Sequence, residues 1–298
     1  MIISPVKNGR IDLHTHSTAS DGTLSPSELV RLAYEKNIVG LSLTDHDTAK
    51  GNQEASAEAD RLGIRFVPGI EISCDYREGN IHILGYWIDP DHPFLNRTVQ
   101  DLIDYRNERN HQIIAKFHRL GLELDYAEVE ALAGNEVVGR PHFAQALVER
   151  GYSKDIADAF EQYLSAGRAA YMPKKRLTVE QGISLIKASG GMPVLAHPVQ
   201  YQFGGLRAYF SVISELKSKG VEGLEVFYPT NLPQDTQLFL KLALELDLNV
   251  TGGSDFHGRV KPEVELGSGI KGNIDLGMEM LDKLEANYRS PAPKENCK

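Results

Sequence analysis

Cysteine is nearly absent from this chain of 298 residues: Cys74 and Cys297 are the two present, far apart and without metal-binding or redox spacing. A disulfide framework and a thiolate metal site are thereby excluded, and a reducing, cytoplasmic setting is expected. Positive charge is also in short supply, with 32 Lys and Arg against 41 Asp and Glu, a formal balance of −9. A broad basic surface for duplex DNA or an anionic membrane is not expected on such a chain. No apolar run approaches the roughly 18–20 residues needed to span a bilayer. Residues 1–7 lack the apolar core and cleavage site of a secretory leader, so none is expected. The 27 Gly and 14 Pro form no tract or period, and 41% of residues are hydrophobic. That excludes disordered, collagen-like and coiled-coil chains and leaves ample material for a core. What is present, and clustered, is histidine: ten residues.

Short apolar runs alternate with helical patterns, as in βα units around a parallel sheet. Strands are expected at 10–16, 38–44, 64–72, 81–88, 192–197, 223–228 and 248–252. A helix should start at Pro26, since Ser25-Pro-Ser-Glu28 forms a capping box with Pro at the first helical position. Further helices are expected at 49–62, 178–189, 206–219, 234–246 and 275–286. Seven βα units on a chain of this size favour a barrel. Between 93 and 172 the rhythm breaks. Val99, Leu102, Ile103, Ile113, Ile114, Phe117 and Leu120 mark one long amphipathic helix. Shorter helices are expected at 125–133, 141–150 and 155–165. The organisation is thus an α/β barrel domain, 1–92 and 173–298, with a helical insertion domain, 93–172, after strand four and expected beside the barrel mouth. At its end, Arg168–Arg176 is the densest basic patch.

His14-Thr-His16 would place two imidazoles on one face of the first strand. Asp21 lies in the loop beyond. Asp45-His46-Asp47 ends the second strand, Glu71 the third, and His82 sits in the fourth. His197 ends the fifth strand, and Asp255-Phe-His257 follows the seventh. These are the strand ends at which barrel active sites are built. A lone histidine in a turn is more often an ordinary polar residue. Together, however, six His with Asp21, Glu71 and Asp255 supply nine N/O ligands. One zinc ion takes three or four, so nine imply two or three metals. Without thiolates, Zn²⁺, Mn²⁺ or Fe²⁺ are the candidates.

The order His14-x-His16, Asp21, Asp45-His46, Glu71, His82, His197-Pro198, Asp255-x-His257 resembles the PHP (polymerase and histidinol phosphatase) superfamily over nearly the whole chain. Asp21-Gly-Thr23, Thr44-Asp-His-Asp47, Pro68-Gly-Ile-Glu71, Gly139-Arg-Pro-His-Phe-Ala144 and Gly253-Ser-Asp-Phe-His257 are similar to one subfamily within it. That subfamily is the 3′,5′-nucleotide bisphosphate phosphatases and 5′→3′ exoribonucleases of ribonuclease AM type. The resemblance implies a distorted seven-stranded (β/α) barrel. It also implies metal-dependent hydrolysis of the 3′-phosphate of 3′,5′-bisphosphonucleosides (pAp to AMP), with 5′→3′ trimming of short 5′-phosphorylated RNA. Three divalent ions are implied, Mn²⁺ foremost, with Zn²⁺ or Fe²⁺ as alternatives. His14, His16 and Asp255 would hold the first. Glu71 would bridge it to a second, held also by His82 and His197, and Asp21, His46 and His257 would hold a third. The nucleophile would be a metal-bound hydroxide, with no side-chain nucleophile. Such ions would leave the pocket at about +3, suited to a compact anion. Asp45 and Asp47 would support metal-bound imidazoles, a turn role being equally open for Asp47. Arg140 and His142 would grip a second substrate phosphate, an Arg fork being suited to it. Their plainer reading is as residues flanking a helix that starts at Pro141.

Arg168, Lys174, Lys175 and Arg176 could guide a nucleotide or a short RNA 5′ end, or form a solvated loop of charges. Tyr171 and Phe143 could stack on a base or belong to the core. Trp87 and Cys74 are expected to pack, and His92, His111 and His118 to be surface or helix residues. No obligate protein partner is evident. Competing readings are a histidinol-phosphate phosphatase, a metal-dependent amidohydrolase, and a non-catalytic regulatory PHP module. The last is disfavoured because all nine ligands are present.

Overall fold

The computed structural model describes residues 9–77, 79–134 and 137–289; Cys297 and residues 1–7 lie outside them. In chain order the first elements are β1 (Arg10–Asp12), α1 (Pro26–Glu35), β2 (Ile38–Leu43), α2 (Asn52–Leu62), β3 (Arg65–Tyr76) and β4 (Gly79–Tyr86). Four helices follow: α3 (Pro93–Arg119), α4 (Tyr126–Ala133), α5 (Arg140–Glu149) and α6 (Ile156–Ala159). Beyond them lie β5 (Leu177–Thr178), α7 (Val179–Ala188), β6 (Met192–Leu195), α8 (Leu206–Ser218), β7 (Gly223–Phe227), α9 (Pro233–Glu245), β8 (Asn249–Gly252) and α10 (Met278–Arg289), with a small two-stranded sheet, Val264–Glu265 and Gly269–Ile270, before α10. They divide into two compact units, Met1–Asn96 with Leu177–Lys298, and Arg97–Arg176. No described helix is long and apolar enough to cross a membrane.

The first unit is built on an eight-stranded sheet in the order β1-β2-β3-β4-β6-β7-β8, with β5 beside β3. The sheet is mixed, not parallel throughout as the βα rhythm suggested: β4 runs antiparallel to both β3 and β6. The cause is connection length. Only two residues separate β3 from β4, enough for a hairpin and far too few for a crossover. β3 also continues through Glu71 to Tyr76, so Glu71 lies within the strand and not at its end. The eighth strand is β5, whose two residues pair with Cys74 and Asp75 and are too few to show periodicity. β1 stops at Asp12, short of the expected His16. The segment beyond it is tied to the segment beyond β8 by a parallel bridge between Thr15 and Phe256. There the Asp255 N–H donates to the His14 carbonyl at 2.8 Å, and the His16 N–H to the Phe256 carbonyl at 2.9 Å.

Helices start where their caps dictate. Ser25 and Glu28 form the capping box on α1, which turns Leu29, Val30 and Ala33 inward. With Leu41 and Leu43 of β2 and Ala55 and Ala59 of α2 they make one buried cluster. A second gathers Ile11, Leu13, Val67, Tyr86, Met192 and Val194 with Leu281 and Leu284 of α10. Each fully buried side chain of this size is worth roughly 1.5–3 kcal/mol. Gly253 allows the two segments beyond β1 and β8 to meet, because a Cβ there would lie 2.4 Å from the His14 backbone nitrogen. Gly253→Ala should therefore push His14 aside and cost on the order of 1–3 kcal/mol by overpacking. Thermal denaturation checks it: an unchanged midpoint would mean that this approach has slack.

The second unit has its own core, in which Ile113 and Phe117 of α3, Val129 of α4, Phe143 and Leu147 of α5, and Leu164 pack together. A single π-helical turn, Phe160–Leu164, follows α6. Asp125 and Glu128 form the capping box of α4.

Candidate metal centre

Glu71 is the hub. Fully buried in β3, it holds Oε1 at 2.9 Å from both His82 Nδ1 and His197 Nε2. Its Oε2 lies 3.0 Å from His46 Nδ1 and 3.3 Å from Nε2 of both His14 and His16. Five imidazoles from four segments thus meet one carboxylate. Asp255 Oδ1 faces the same two rings, at 3.2 Å from His16 Nε2 and 3.5 Å from His14 Nε2. Asp21 closes the far side, 3.3 Å from His257 Nε2 and 3.8 Å from His46 Nε2. The His16 and His257 rings stack with centroids 4.0 Å apart.

Charge explains how so much acid stays buried. Burial alone would raise the pKa of Glu71, but His46, His14 and His82 outweigh it and hold the carboxyl well below its usual range. Asp255 is likewise buried yet held low by His14, His16 and Lys261. Asp21 is held low against burial by His257, His46 and His16. In return His16, although buried, is lifted to about 9 by Asp255 and Glu71. His46 goes the other way, to about 3, because burial and the neighbouring His16 and His82 disfavour its charge.

These residues fit divalent ions. Both ring nitrogens of His16 are buried and, despite their carboxylate neighbours, none of those contacts is aligned as a hydrogen bond. A buried imidazole that meets two carboxylates without bonding either suits a shared cation. Among the described residues, three groups have ligand atoms within 4.8 Å of one another: His14, His16 and Asp255; His16, Asp21, His46 and His257; and His46, Glu71 and His82. The nine sequence-derived donors are therefore brought together, with His197 joined through Glu71.

The supports of these donors were mostly invisible in the sequence. Glu225, buried in β7, accepts from His14 Nδ1 at 2.8 Å and from the His197 backbone N–H at 2.6 Å. Buried Asp12 accepts from the backbone N–H and hydroxyl of Ser254 and from the Gly267 N–H, anchoring the segment that carries Asp255. Tyr228 donates to Asp255 Oδ2 at 2.7 Å, and Lys261 pairs with the same oxygen at 2.6 Å. The Tyr201 hydroxyl accepts the His82 N–H. The one available signal was acidity inside apolar runs, as in Ile11-Asp-Leu and Leu224-Glu-Val. Asp45 is corrected: its carboxylate accepts from Ser17 and Ser20, shaping the loop before Asp21, and does not sit on an imidazole. Asp47 accepts the Ser73 N–H at 2.8 Å. Asp47, His197 and Asp255 all adopt positive φ, a strained backbone that gathers at working sites.

Arg140 and His142 belong to the second unit. His142 Nδ1 accepts the Gly139 N–H at the start of α5, and the Arg140 guanidinium lies over the Tyr171 ring at 5.5 Å. Arg109, 5% exposed, has its charge disfavoured by burial and by Arg140 and Arg106. That basic grouping was not foreseen. Lys175 lies over Tyr105. Phe143 is fully buried, which rules out base stacking by its ring. His118 bonds the Leu124 carbonyl and His111 packs on Tyr126. Cys74 is buried, and Trp87 stacks on Tyr288.

A mixed α/β fold with histidines and acids converging from successive strands defines a PHP-type protein. Residues 12–180 match the PHP domain, and the chain belongs to that family. It is 36% identical over 83% of its length to a 5′-3′ exoribonuclease of Haemophilus influenzae, covering 90% of that protein. It is 35% identical, over 83% of its length and 87% of the relative, to a 3′,5′-nucleoside bisphosphate phosphatase of Chromobacterium violaceum. A structure described as an amidohydrolase from Chromobacterium violaceum, with bound sulfate and no metal, is 32% identical with a TM-score of 0.73, over 93% of this chain and 96% of that one. A candidate metal-dependent phosphoesterase from Bifidobacterium adolescentis is 28% identical with a TM-score of 0.72, over 95% and 97%.

Proposed function

We propose that this protein is a metal-dependent phosphoesterase that removes the 3′-phosphate of 3′,5′-bisphosphonucleosides such as pAp and trims short RNA from a 5′-phosphorylated end. The observation that carries it is Glu71, one buried carboxylate within 3.3 Å of five imidazole nitrogens. One relative named for each activity, each similar over more than four fifths of this chain, supports the substrate class. The sheet is read as the distorted seven-stranded PHP barrel, with its seam at the Thr15–Phe256 bridge, and 93–172 as its helical insertion domain. With so few cysteines, the compartment is read as the cytoplasm.

In this reading three divalent ions, Mn²⁺ foremost, would be held by His14, His16 and Asp255; by Glu71, His82 and His197; and by Asp21, His46 and His257. Bound ions supply a water of lowered pKa and positive charge for the phosphoryl oxygens. The chain's own part is to hold the ligands ionised and aligned. Glu71 and Asp255 remain carboxylates because buried imidazoles surround them. Tyr228 and Lys261 occupy Asp255 Oδ2 and turn Oδ1 towards His14 and His16. Arg140 would hold the second, terminal phosphate, and the repulsion it shares with Arg109 and Arg106 supports an anion there. A terminal phosphate gripped by Arg140 would account for both activities and for action at chain ends.

The test is Mn²⁺-loaded protein incubated with pAp and with a 5′-phosphorylated oligonucleotide. Phosphate from the first and mononucleotides from the second are expected; release from neither overturns the reading. Arg140→Ala should raise KM for pAp roughly tenfold or more while changing a simple monophosphate ester little, since the cost falls on ground-state binding. Equal effects on both substrates would remove Arg140 from that role.

A further inference from the structure

We propose that Glu225 is a positioning residue that couples two metal sites, fixing the ring of His14 and the backbone of His197 with one carboxylate. The inference rests on the metal-centre reading above. Glu225 is fully buried, and each oxygen has its own donor: His14 Nδ1 at 2.8 Å and the His197 N–H at 2.6 Å. The two donors lie beyond different strands, β1 and β6, 211 and 28 residues away in sequence. Both rings then arrive at Glu71, His14 at Oε2 and His197 at Oε1, with centroids 5.8 Å apart and planes within 25°. One carboxylate stands behind the pair and another in front.

Two consequences follow from hydrogen-bond chemistry. Donation from Nδ1 to Glu225 leaves the His14 lone pair on Nε2, the nitrogen that faces Glu71 and Asp255 at 3.3 and 3.5 Å. His197 sits at φ 27° and ψ 60°, a backbone that side chains rarely adopt, and the bond from its N–H holds it there. Both partners are donors, so position 225 must present two acceptors at once. A carboxylate does so. A carboxamide of the same shape has one acceptor, and must abandon the His197 amide or force the proton of His14 onto Nε2.

The experiment compares wild type and Glu225→Gln by Zn²⁺ titration against a chromophoric chelator, with ¹⁵N–¹H spectra of the histidine-labelled, Zn²⁺-loaded proteins. In wild type, His14 should carry its proton on Nδ1 and bind through Nε2. In Glu225→Gln, Zn²⁺ affinity should fall 10–100-fold, as when an outer support of a ligating histidine is lost, and the His14 or His197 signals should shift. The thermal midpoint of the chelator-stripped proteins separates this from general damage. A lower midpoint with unchanged Zn²⁺ affinity and unchanged His14 signals overturns the proposal. A wild-type His14 that binds through Nδ1 overturns it whether or not the variant folds. Wild type that binds no Zn²⁺ overturns the metal centre itself, and the coupling with it.

Discussion

Glu71→Gln is expected to lower phosphoester hydrolysis by roughly 10³-fold or more and to strip metal from more than one cluster. The size follows from position. The Glu71 carboxylate lies against His14, His16, His46, His82 and His197, rings drawn from all three groups. The amide keeps the shape and removes the charge, so repacking cannot account for the loss. The ring protons also lose the carboxylate that now faces them in the buried cluster, which makes stable burial of five rings harder. Turnover at saturating Mn²⁺, together with elemental analysis of the bound metal, checks it. Near-normal turnover with full metal content would remove Glu71 from the bridging role, and a similar result for His16→Ala or Asp255→Ala would do the same for those ligands.

The second large effect is on the pH dependence of stability. Against burial, the folded protein holds His14 above its ordinary range through Glu225, Glu71 and Asp255, and His16 at about 9 through Asp255 and Glu71. Groups raised on folding stabilise fully below their unfolded pKa, near 6.5, and lose that contribution as pH rises through the folded value. Metal-stripped protein should therefore lose stability between pH 6.5 and about 9, by roughly 3 kcal/mol from His16 alone. His46, held down to about 3, acts in the opposite sense but below 6.5, so it does not offset the decline. On the acid side, the lowered Glu71 and Asp255 add stability above about pH 4 that is lost as pH falls through their folded values. Divalent ions compete with the same protons, so affinity should climb with pH and the alkaline decline should vanish in excess Mn²⁺. Thermal midpoints from pH 6 to 9.5, with chelator and with Mn²⁺, decide the matter. Two parallel curves would mean that these imidazoles do not titrate against metal.

Much of the centre was legible because its donors are punctuated by the strands that carry them. His14-x-His16, His46 and Asp255-x-His257 recur just past short apolar runs, and the helices between were marked by caps such as Ser25–Glu28. The errors lie where a local pattern has two solutions. An apolar run ending at 72 does not reveal that β3 continues to Tyr76 and turns back as a hairpin, which makes the sheet mixed and puts Glu71 mid-strand. Nor could Asp45 be assigned correctly from its place beside His46. Its partners, Ser17 and Ser20, come from a loop almost thirty residues earlier.

The sequence by itself determined the candidate donor set, the family to which the chain belongs and the helical segment between strands four and five. Each of those rests on residue type and short-range spacing. The tertiary structure alone decided that Glu71 is the hub, that Asp12 anchors the Asp255 segment, and that Glu225 stands behind both His14 and His197. The physical reason is register. Which buried acid meets which imidazole depends on how strands far apart in the chain align across the sheet, and no local period encodes that alignment.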